Sequence, residues 1–258
     1  MTAFRLALVA ATLAAPVATA SAQDFSWHGK VAPGKTLEIK GINGEIHATA
    51  ASGSEAEVSA VKRGRRSDPK DVEIKVVEHG DGITICAVYP GERGRPNSCE
   101  PGSGGHMEVH DNDVVVDFTV KVPAGVQFSG RTVNGDVRAE GLEAATELHT
   151  VNGGITASSK GSVEAETVNG SLNLTIGRAD WDGQLDLKTV NGGITVAFPP
   201  TLSADLRAET VNGSIESDFP VSVQGRINPR SLRGTIGKGG RELRLSTVNG
   251  SIRLKKSA

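Results

Sequence analysis

Aromatic side chains and an excess of charge are what this sequence has least of. The 258 residues include six Phe, two Trp and one Tyr, and 28 basic residues face 30 acidic ones, which gives a formal charge of −2. Nine aromatic residues are too few for a broad platform on which sugars or bases could stack. Nucleic-acid-binding proteins usually carry a basic excess, and this chain has none overall. The composition therefore argues against nucleic acid as a partner and favours a thin, repetitive β architecture.

Cysteine is nearly absent as well. Cys86 and Cys99 are the two cysteines, 13 positions apart, and residues 87–98 between them have the Gly and Pro content of a loop. In an oxidising compartment, such a pair forms a disulfide by default. We therefore predict a Cys86–Cys99 bond, which would contribute about 3 kcal/mol in the chain-entropy model.

Long apolar runs are confined to the N-terminus. Residues 1–22 read as a secretory signal peptide, because Arg5 precedes an apolar run over residues 6–15 and Ala20-Ser21-Ala22 supplies small residues for cleavage. The apolar run is shorter than the roughly 20 residues that a spanning helix needs, and no later window could cross a membrane. The sequence thus predicts a soluble, exported product, periplasmic or extracellular, without a membrane span.

The main signal is an internal repeat. Thr-Val-Asn-Gly occurs six times, with its asparagine at Asn134, Asn152, Asn169, Asn191, Asn212 and Asn249, and a related Ile-Asn-Gly has its asparagine at Asn43. The first five copies recur every 17–22 residues, a period typical of a solenoid in which each unit stacks on the next. The last gap is 37 residues, and we interpret residues 231–234 within it as a degenerate, irregular copy. We expect the asparagines to form the corners of about seven short coils.

Strand patterns flank each corner. Apolar residues stand six and four positions before most of the asparagines, as at Leu185 and Leu187, and three and five positions after them, as at Ile194 and Val196. This alternation is that of a half-buried strand. The one-residue slip predicts a bend at Asn-Gly, which tolerates a left-handed backbone. We therefore predict an all-β fold, a β-solenoid preceded by a β-rich N-terminal region. A hairpin-built β-sandwich is the alternative, because Asn-Gly is also the strongest two-residue hairpin signal.

Parity alone does not decide which way the repeated valine faces. An exposed row would create an apolar stripe of the kind that soluble monomers avoid. We therefore predict that the row is buried, with Thr and Asn rounding the corner; its members are Val133, Val151, Val168, Val190, Val211 and Val248. If the row instead lies on the surface, it becomes a candidate contact strip.

The upstream part lacks the tight repeat but is also strand-like. Short β patterns cover residues 35–50, 55–63, 72–77, 82–89 and 113–122. We divide the mature chain into an N-terminal β-strand region, residues 23–122, which carries the Cys86–Cys99 loop, and a repeat solenoid, residues 123–258.

Several of these residues resemble a known bacterial family. They are Phe25-x-Trp27-x-Gly29, Gly34, Leu37-Glu38-Ile39, Gly41-x-Asn43-Gly44 and the later Thr-Val-Asn-Gly copies. Together they resemble the exported β-strand-repeat proteins described as candidate adhesins, over nearly the whole mature chain. The resemblance implies a β-helix-like fold and a cell-envelope location, and it carries over no catalytic residues.

Residues for chemistry are scattered. Polysaccharide lyases and hydrolases need clustered carboxylates beside Arg or Lys. The carboxylates here instead fall at solvent positions mixed with Lys188 and Arg207, as on an ordinary surface; they are Glu164, Glu166, Asp186, Glu209 and Glu216. His106 and His110 have the spacing of a helical zinc pair, but glycines precede them and a β pattern follows, so we interpret them as exposed loop residues.

We therefore expect no catalytic residues, no metal and no cofactor. The favoured function is that of a non-enzymatic exported envelope protein, an adhesin-like binding or structural module whose partner is a protein or glycan of the cell envelope. The alternative is a carbohydrate-active enzyme, a polysaccharide lyase or hydrolase, with a groove lined by Asp, Glu and Arg. Unpaired strand edges at the ends of the solenoid would also permit self-association.

Overall fold

The chain folds almost entirely into β-strands, as its alternating pattern predicts. The computed structural model describes residues 25–92, 94–223 and 228–257, and the predicted signal segment 1–22 lies outside them. The N-terminal strands are Phe25–Gly29 (β1), Thr36–Lys40 (β2), Ile46–Ala50 (β3), Ala56–Arg63 (β4), Glu73–His79 (β5), Gly82–Val88 (β6) and Val115–Val122 (β7). A short 3-10 helix spans Pro69–Asp71. These strands confirm the β patterns expected upstream of the repeat.

The repeat region supplies the remaining strands. They are Gln127–Arg131 (β8), Val137–Leu142 (β9), Thr146–His149 (β10), Ile155–Ser159 (β11), Val163–Glu166 (β12), Leu172–Ile176 (β13), Gln184–Lys188 (β14), Ile194–Phe198 (β15), Ala204–Asn212 (β16), Ile215–Ser217 (β17), Val221–Val223 (β18), Ser231–Ile236 (β19), Glu242–Asn249 (β20) and Ile252–Lys256 (β21). Each Thr-Val-Asn-Gly copy lies where the chain passes from one sheet to the other.

Successive repeat strands alternate between two sheets. The first sheet has the order β1-β4-β7-β3-β9-β11-β13-β15-β21-β17, and the second has the order β18-β19-β16-β20-β14-β12-β10-β8-β2-β6-β5. The coils pair in parallel and in register, and antiparallel pairs occur only towards the two ends of the described sheets. Parallel stacking of two-strand coils is the predicted β-solenoid, and it excludes the hairpin-built sandwich.

Columns of aliphatic side chains form the core. In the first sheet, Ile155 lies opposite Leu172, which lies opposite Ile194, and Ile252 follows. All four side chains are fully buried. Because each coil needs only small and medium aliphatic residues to fill the narrow space between the sheets, the protein forms a continuous core with few aromatic residues.

The coils do not stack in the order of the sequence. The last strand pair, β20 and β21, is inserted between the coil of Asn191 and the coil of Asn212. Residues 231–234, interpreted above as a degenerate coil, instead belong to β19, which runs antiparallel to β16 towards the end of the second sheet. That interpretation was wrong because residue spacing reports neither strand direction nor the position of a strand in the stack.

Both sheets continue across the predicted domain boundary. Strand β2 pairs with β8, and β3 pairs with β9, so strands from before and after residue 122 are direct neighbours. The division into residues 23–122 and 123–258 therefore remains a prediction. Among the described residues, no helix has the length and apolar character that crossing a bilayer requires.

The loop after β6 is fastened at two points. The Cys86–Cys99 disulfide forms as predicted, with its Cα atoms 5.7 Å apart. The Nζ atom of Lys40 donates hydrogen bonds of 2.8 Å to three loop carbonyls, those of Glu100, Gly102 and Gly104. Burial is the main cause that lowers the pKa of Lys40. A loop of Gly and Pro is thus held against the second sheet by a covalent bond and a charged donor.

Candidate functional site

The threonine of each Thr-Val-Asn-Gly copy points into the protein. All six are buried, from 1% exposed at Thr167 to 6% at Thr210. Each hydroxyl donates a hydrogen bond of 2.8–3.1 Å to the carbonyl oxygen of a corner glycine in the adjacent coil. These bonds offset the cost of burying a polar group. Threonine therefore continues the inward-facing set of the preceding strand and links neighbouring coils.

The glycine of the motif is required by close approach between coils. A Cβ atom on Gly170 would lie 1.9 Å from the carbonyl oxygen of Gly153, and the other five motif glycines are equally close to a backbone oxygen of the neighbouring coil. None of the six has a positive φ, and neither do the described asparagines. The predicted corner at Asn-Gly is present. Its expected cause, a left-handed backbone, is wrong at these six positions, because the short distance between coils selects glycine.

The asparagines form a hydrogen-bonded column along one edge of the solenoid. Each Nδ2 atom donates to the Oδ1 atom of the preceding member at 2.8 Å; in stacking order the column is Asn43, Asn134, Asn152, Asn169, Asn191, Asn249 and Asn212. Backbone pairing joins the same residues in the same order. All members except the half-buried Asn43 are exposed. The column therefore presents a fixed row of amides to the solvent.

The valine row lies beside this column and faces outward, which contradicts its predicted burial. Val151, Val211 and Val248 are 37%, 55% and 38% exposed, and the other three are half-buried. The prediction was wrong because threonine takes the inward position before the corner, which leaves the next residue outside. These three valines are all of the large hydrophobic side chains classed as exposed among the described residues.

We call this surface the Val–Asn ridge. It consists of Val133, Val151, Val168, Val190, Val248 and Val211, in stacking order, together with the asparagine column. The ridge is uncharged, and its side chains repeat at the spacing of neighbouring strands, about 4.8 Å. Backbone and side-chain hydrogen bonds hold every rung in place, so the ridge is a regular surface with a fixed geometry.

A second feature lies on the outer face of the second sheet. A shallow groove of about 440 Å³ crosses β12, β14, β20, β16 and β19. We call it the charged groove; its charged residues are Glu164, Glu166, Asp186, Lys188, Arg207, Glu209, Arg233 and Arg244. No aromatic residue lines it. The groove can offer charged hydrogen-bonding groups but no stacking surface.

Charge is segregated along one line of this groove. Glu147 lies directly opposite Glu164, and the line continues through Asp186 to Arg244, Arg207 and Arg233. Burial, followed by repulsion from Glu147 and Asp186, raises the pKa of Glu164. The signs are therefore less mixed than the sequence indicates, because the inserted β20 brings Arg244 beside Arg207.

The other predicted candidates lie elsewhere. His106 and His110 are in the loop after β6, where His106 lies 3.5 Å from Glu108 and His110 lies 3.5 Å from Glu92. Among the described residues, no group of three or more His, Cys, Asp and Glu is arranged to hold a metal ion. Glu216 belongs to the other sheet, where it lies 3.4 Å from Arg253.

Sequence reasoning missed the cluster of three arginines. Arg207 and Arg244 both stand five residues before a repeat asparagine. The sequence therefore indicates that the two arginines occupy equivalent positions in their coils. Their adjacency and the arrival of Arg233 depend on coil order and on an antiparallel strand.

Solved structures that are similar to this chain share little sequence identity with it. A candidate cell adhesion protein from Clostridium sporogenes ATCC 15579 is 14% identical, with a TM-score of 0.47, over 90% of this chain and 99% of that chain. A candidate adhesin from Bacteroides fragilis NCTC 9343 is 10% identical, with a TM-score of 0.30, over 90% of this chain and 96% of that chain. None of the curated proteins compared matches this sequence. The sequence model of the Toastrack DUF4097 family matches residues 19–255, and the chain therefore belongs to that family.

Proposed function

We propose that the chain is a non-enzymatic, exported binding protein of the cell envelope that docks a protein partner on the Val–Asn ridge. The observation that carries this proposal is the clustering of Val151, Val211 and Val248, which are all of the exposed large hydrophobics in the described part of the chain. Continuous apolar strips on a soluble protein mark interaction sites more often than chance exposure does.

The chemistry of the ridge favours a protein over a glycan. Valine contributes through burial of apolar area, at about 25 cal/mol per Å², and the asparagine amides both donate and accept hydrogen bonds. Sugar-binding surfaces more often present aromatic or charged groups, and the ridge has neither. A protein surface with aliphatic and amide side chains matches it in both respects.

Export is supported by two features. The Cys86–Cys99 disulfide is of the kind that persists in oxidising compartments, and residues 1–22 have the sequence pattern of a signal peptide. Fractionation of cells that express the full chain tests this part. We expect a mature product that begins near Gln23 outside the cytoplasm.

Docking is tested with envelope fragments and the purified mature protein. The variant Val151→Lys/Val190→Lys places two charges on the ridge, and Thr156→Lys/Thr195→Lys places the same charges in the same two coils on the outer face of the first sheet. We expect the ridge variant to bind at least about tenfold more weakly and the control to bind like the wild type. Because the contact is apolar, affinity should change little between low and high salt.

Two outcomes would contradict the proposal. Equal binding by the ridge variant and its control would exclude the ridge as the docking surface. Binding that survives protease treatment of the envelope fragments, but not removal of their glycans, would show that the partner is a glycan rather than a protein.

The second candidate function is a carbohydrate-active enzyme at the charged groove. Its support is the raised pKa of Glu164 beside Asp186, since a glycosidase pairs a carboxyl group of raised pKa with a second carboxylate. Turnover of a polysaccharide by the wild type, abolished in Glu164→Gln, would favour this candidate. Absence of turnover across a panel of envelope polysaccharides would exclude it for those substrates.

Self-association through the ends of the stack is a separate proposal. The edge strands of the two sheets are β1 and β17 in the first, and β18 and β5 in the second. Edge strands carry unpaired backbone groups on their outer side. Sedimentation over a range of protein concentrations tests it, and a constant monomer mass would count against it.

A further inference from the structure

The line of three arginines in the charged groove is unfavourable for folding alone. Arg207 lies opposite Arg244 on one side and opposite Arg233 on the other. Like charges directly opposite each other across strands are destabilising. Elsewhere the coils pair opposite charges in the same geometry, as with Glu166 and Lys188 at 3.1 Å. The arginine line therefore departs from this pairing of opposite charges, as the acidic line of Glu147, Glu164 and Asp186 also does.

The central arginine has no partner among the described residues. Arg233 donates to Glu209 at 2.6 Å, and Arg244 lies 2.9 Å from Glu242. Arg207 is exposed and forms no hydrogen bond or ion pair with any residue in the described ranges. A guanidinium carries five donors in a planar fork that matches the oxygens of a carboxylate or phosphate. Arg207, flanked by two further guanidinium groups, is thus a preformed receptor for an oxyanion.

The opposite end of the groove restricts what the rest of the ligand can be. Glu164 and Asp186 accept hydrogen bonds when ionised and repel a second anion. The ligand must therefore carry donor groups at one end and an acidic group at the other. Nucleic acid does not fit, since it presents repeated phosphates and needs stacking groups, and the groove has an acidic half and no aromatic residue.

Peptide and neutral sugar fit less well than an acidic sugar. Strands β12, β14, β20 and β16 beneath the groove each have a neighbour on both sides, so none of them offers a free edge to a peptide strand. A neutral sugar would leave the arginines unused and find no aromatic ring to stack on. The volume of about 440 Å³ is within the range of small-ligand sites.

We infer that the charged groove binds an acidic saccharide, whose carboxylate or phosphate lies on Arg207 between Arg233 and Arg244 and whose hydroxyl groups donate to Glu164 and Asp186. This site is on the outer face of the second sheet, whereas the Val–Asn ridge is at the corner between the sheets. The inference therefore does not depend on the proposed docking function. It concerns the same groove as the second candidate function, but it requires only binding and no turnover.

Calorimetric titration of the mature protein tests the inference with three probes. Cellobiouronic acid carries one carboxylate on a hydroxyl-rich disaccharide, cellobiose is its neutral counterpart, and inorganic phosphate supplies an oxyanion alone. We expect cellobiouronic acid to bind most tightly, phosphate to bind more weakly and cellobiose not to bind. Raising the salt concentration should weaken the binding of both anions.

Two variants and a control separate the parts of the site. Arg207→Gln should lower the affinity for cellobiouronic acid and for phosphate by about tenfold or more. Glu164→Gln should lower the affinity for cellobiouronic acid without lowering the affinity for phosphate. The control Arg253→Gln removes the same charge from the other sheet, where Arg253 lies 3.4 Å from Glu216, and it should leave all binding unchanged.

Three results would overturn the inference. Failure of cellobiouronic acid to bind the folded wild type would show that the groove is not a saccharide site. Equal losses of affinity in Arg207→Gln and Arg253→Gln would show that only the overall charge of the protein matters. Phosphate binding as tight as cellobiouronic acid would leave a simple anion site and contradict the role given to Glu164.

Discussion

Asn249 donates its side-chain amide to the Oδ1 atom of Asn191 at 2.8 Å, although 58 residues separate the two along the chain. The coil between them in sequence, which contains Asn212, lies on the far side of Asn249. Along the sequence, the outer coil therefore comes before the coil that lies between it and the rest of the stack. This insertion joins the C-terminal strands to the middle of the stack.

The inserted coil can be verified by engineered disulfides on the ridge. Residues on neighbouring strands lie about 4.8 Å apart, within the Cα separation that a disulfide spans, whereas residues two coils apart do not. Val190→Cys/Val248→Cys should therefore cross-link under mild oxidation, and Val190→Cys/Val211→Cys should not. The reverse result, measured by mass spectrometry of proteolytic peptides, would restore stacking in sequence order.

A glycine of the Thr-Val-Asn-Gly motif should tolerate substitution far less well than a glycine that directly follows a copy of the motif. Gly170→Ala places a Cβ atom 1.9 Å from the carbonyl oxygen of Gly153, which is itself held by Thr167. We expect a loss of about 3 kcal/mol or more in the free energy of unfolding, or failure to fold. Denaturant titration measures the loss.

Gly154→Ala is the matched control for that variant. A Cβ atom on Gly154 would make ordinary contacts, the shortest at 3.5 Å to the carbonyl oxygen of Ser171. Serine occupies the equivalent position at Ser171, Ser214 and Ser251. We expect a change below about 1 kcal/mol. Similar losses for the two variants would contradict the explanation by close approach.

The single tyrosine offers a clean pH measurement. Burial raises the pKa of Tyr89 from 10.0 to about 12, and its hydroxyl donates to the carbonyl oxygen of Val114 at 2.8 Å. The native protein should show its tyrosinate absorbance near pH 12, and the protein unfolded in guanidinium should show it near 10. Because the unfolded phenol releases its proton first, stability should decline as pH rises from about 10 to 12. A native transition near pH 10 would contradict this burial.

Reduction of the disulfide should destabilise the fold without abolishing it. Cys86 and Cys99 close a loop with a sequence separation of 13, for which the chain-entropy model gives about 3 kcal/mol. Lys40 still holds the loop through three carbonyls after reduction. Denaturation with and without reductant measures the difference. A double variant with Cys86→Ser and Cys99→Ser should match the reduced protein and be unaffected by reductant.

The repeat architecture could be predicted from the sequence because period-two alternation and identical tetrapeptides both report local geometry. The aliphatic columns through Ile155, Leu172 and Ile194 follow directly from that alternation. The Cys86–Cys99 bond followed from cysteine count and compartment. Each of these features depends either on residues that are close together in the sequence or on the tendency of two cysteines to form a disulfide in an oxidising compartment.

The order of the coils and the direction of the valines required the structure. The sequence does not record that β20 lies between β14 and β16, so the adjacency of Arg207 and Arg244 was hidden. The general rule against exposed aliphatic rows favoured buried valines, but a buried Thr167 that bonds to Gly153 reverses it. Interactions between coils determine both the coil order and the direction of the valine side chains. A local sequence pattern carries no information about these interactions.

The most direct test of the proposed docking surface is a footprint on the ridge. Val168→Cys and Thr175→Cys each place one new thiol in the same coil, on the ridge and on the outer face of the first sheet respectively. Alkylation rates are measured with and without an excess of envelope fragments. The account predicts that the thiol at position 168 is protected on binding and that the thiol at position 175 is not. Equal reactivity at position 168 in the free and bound protein would contradict it.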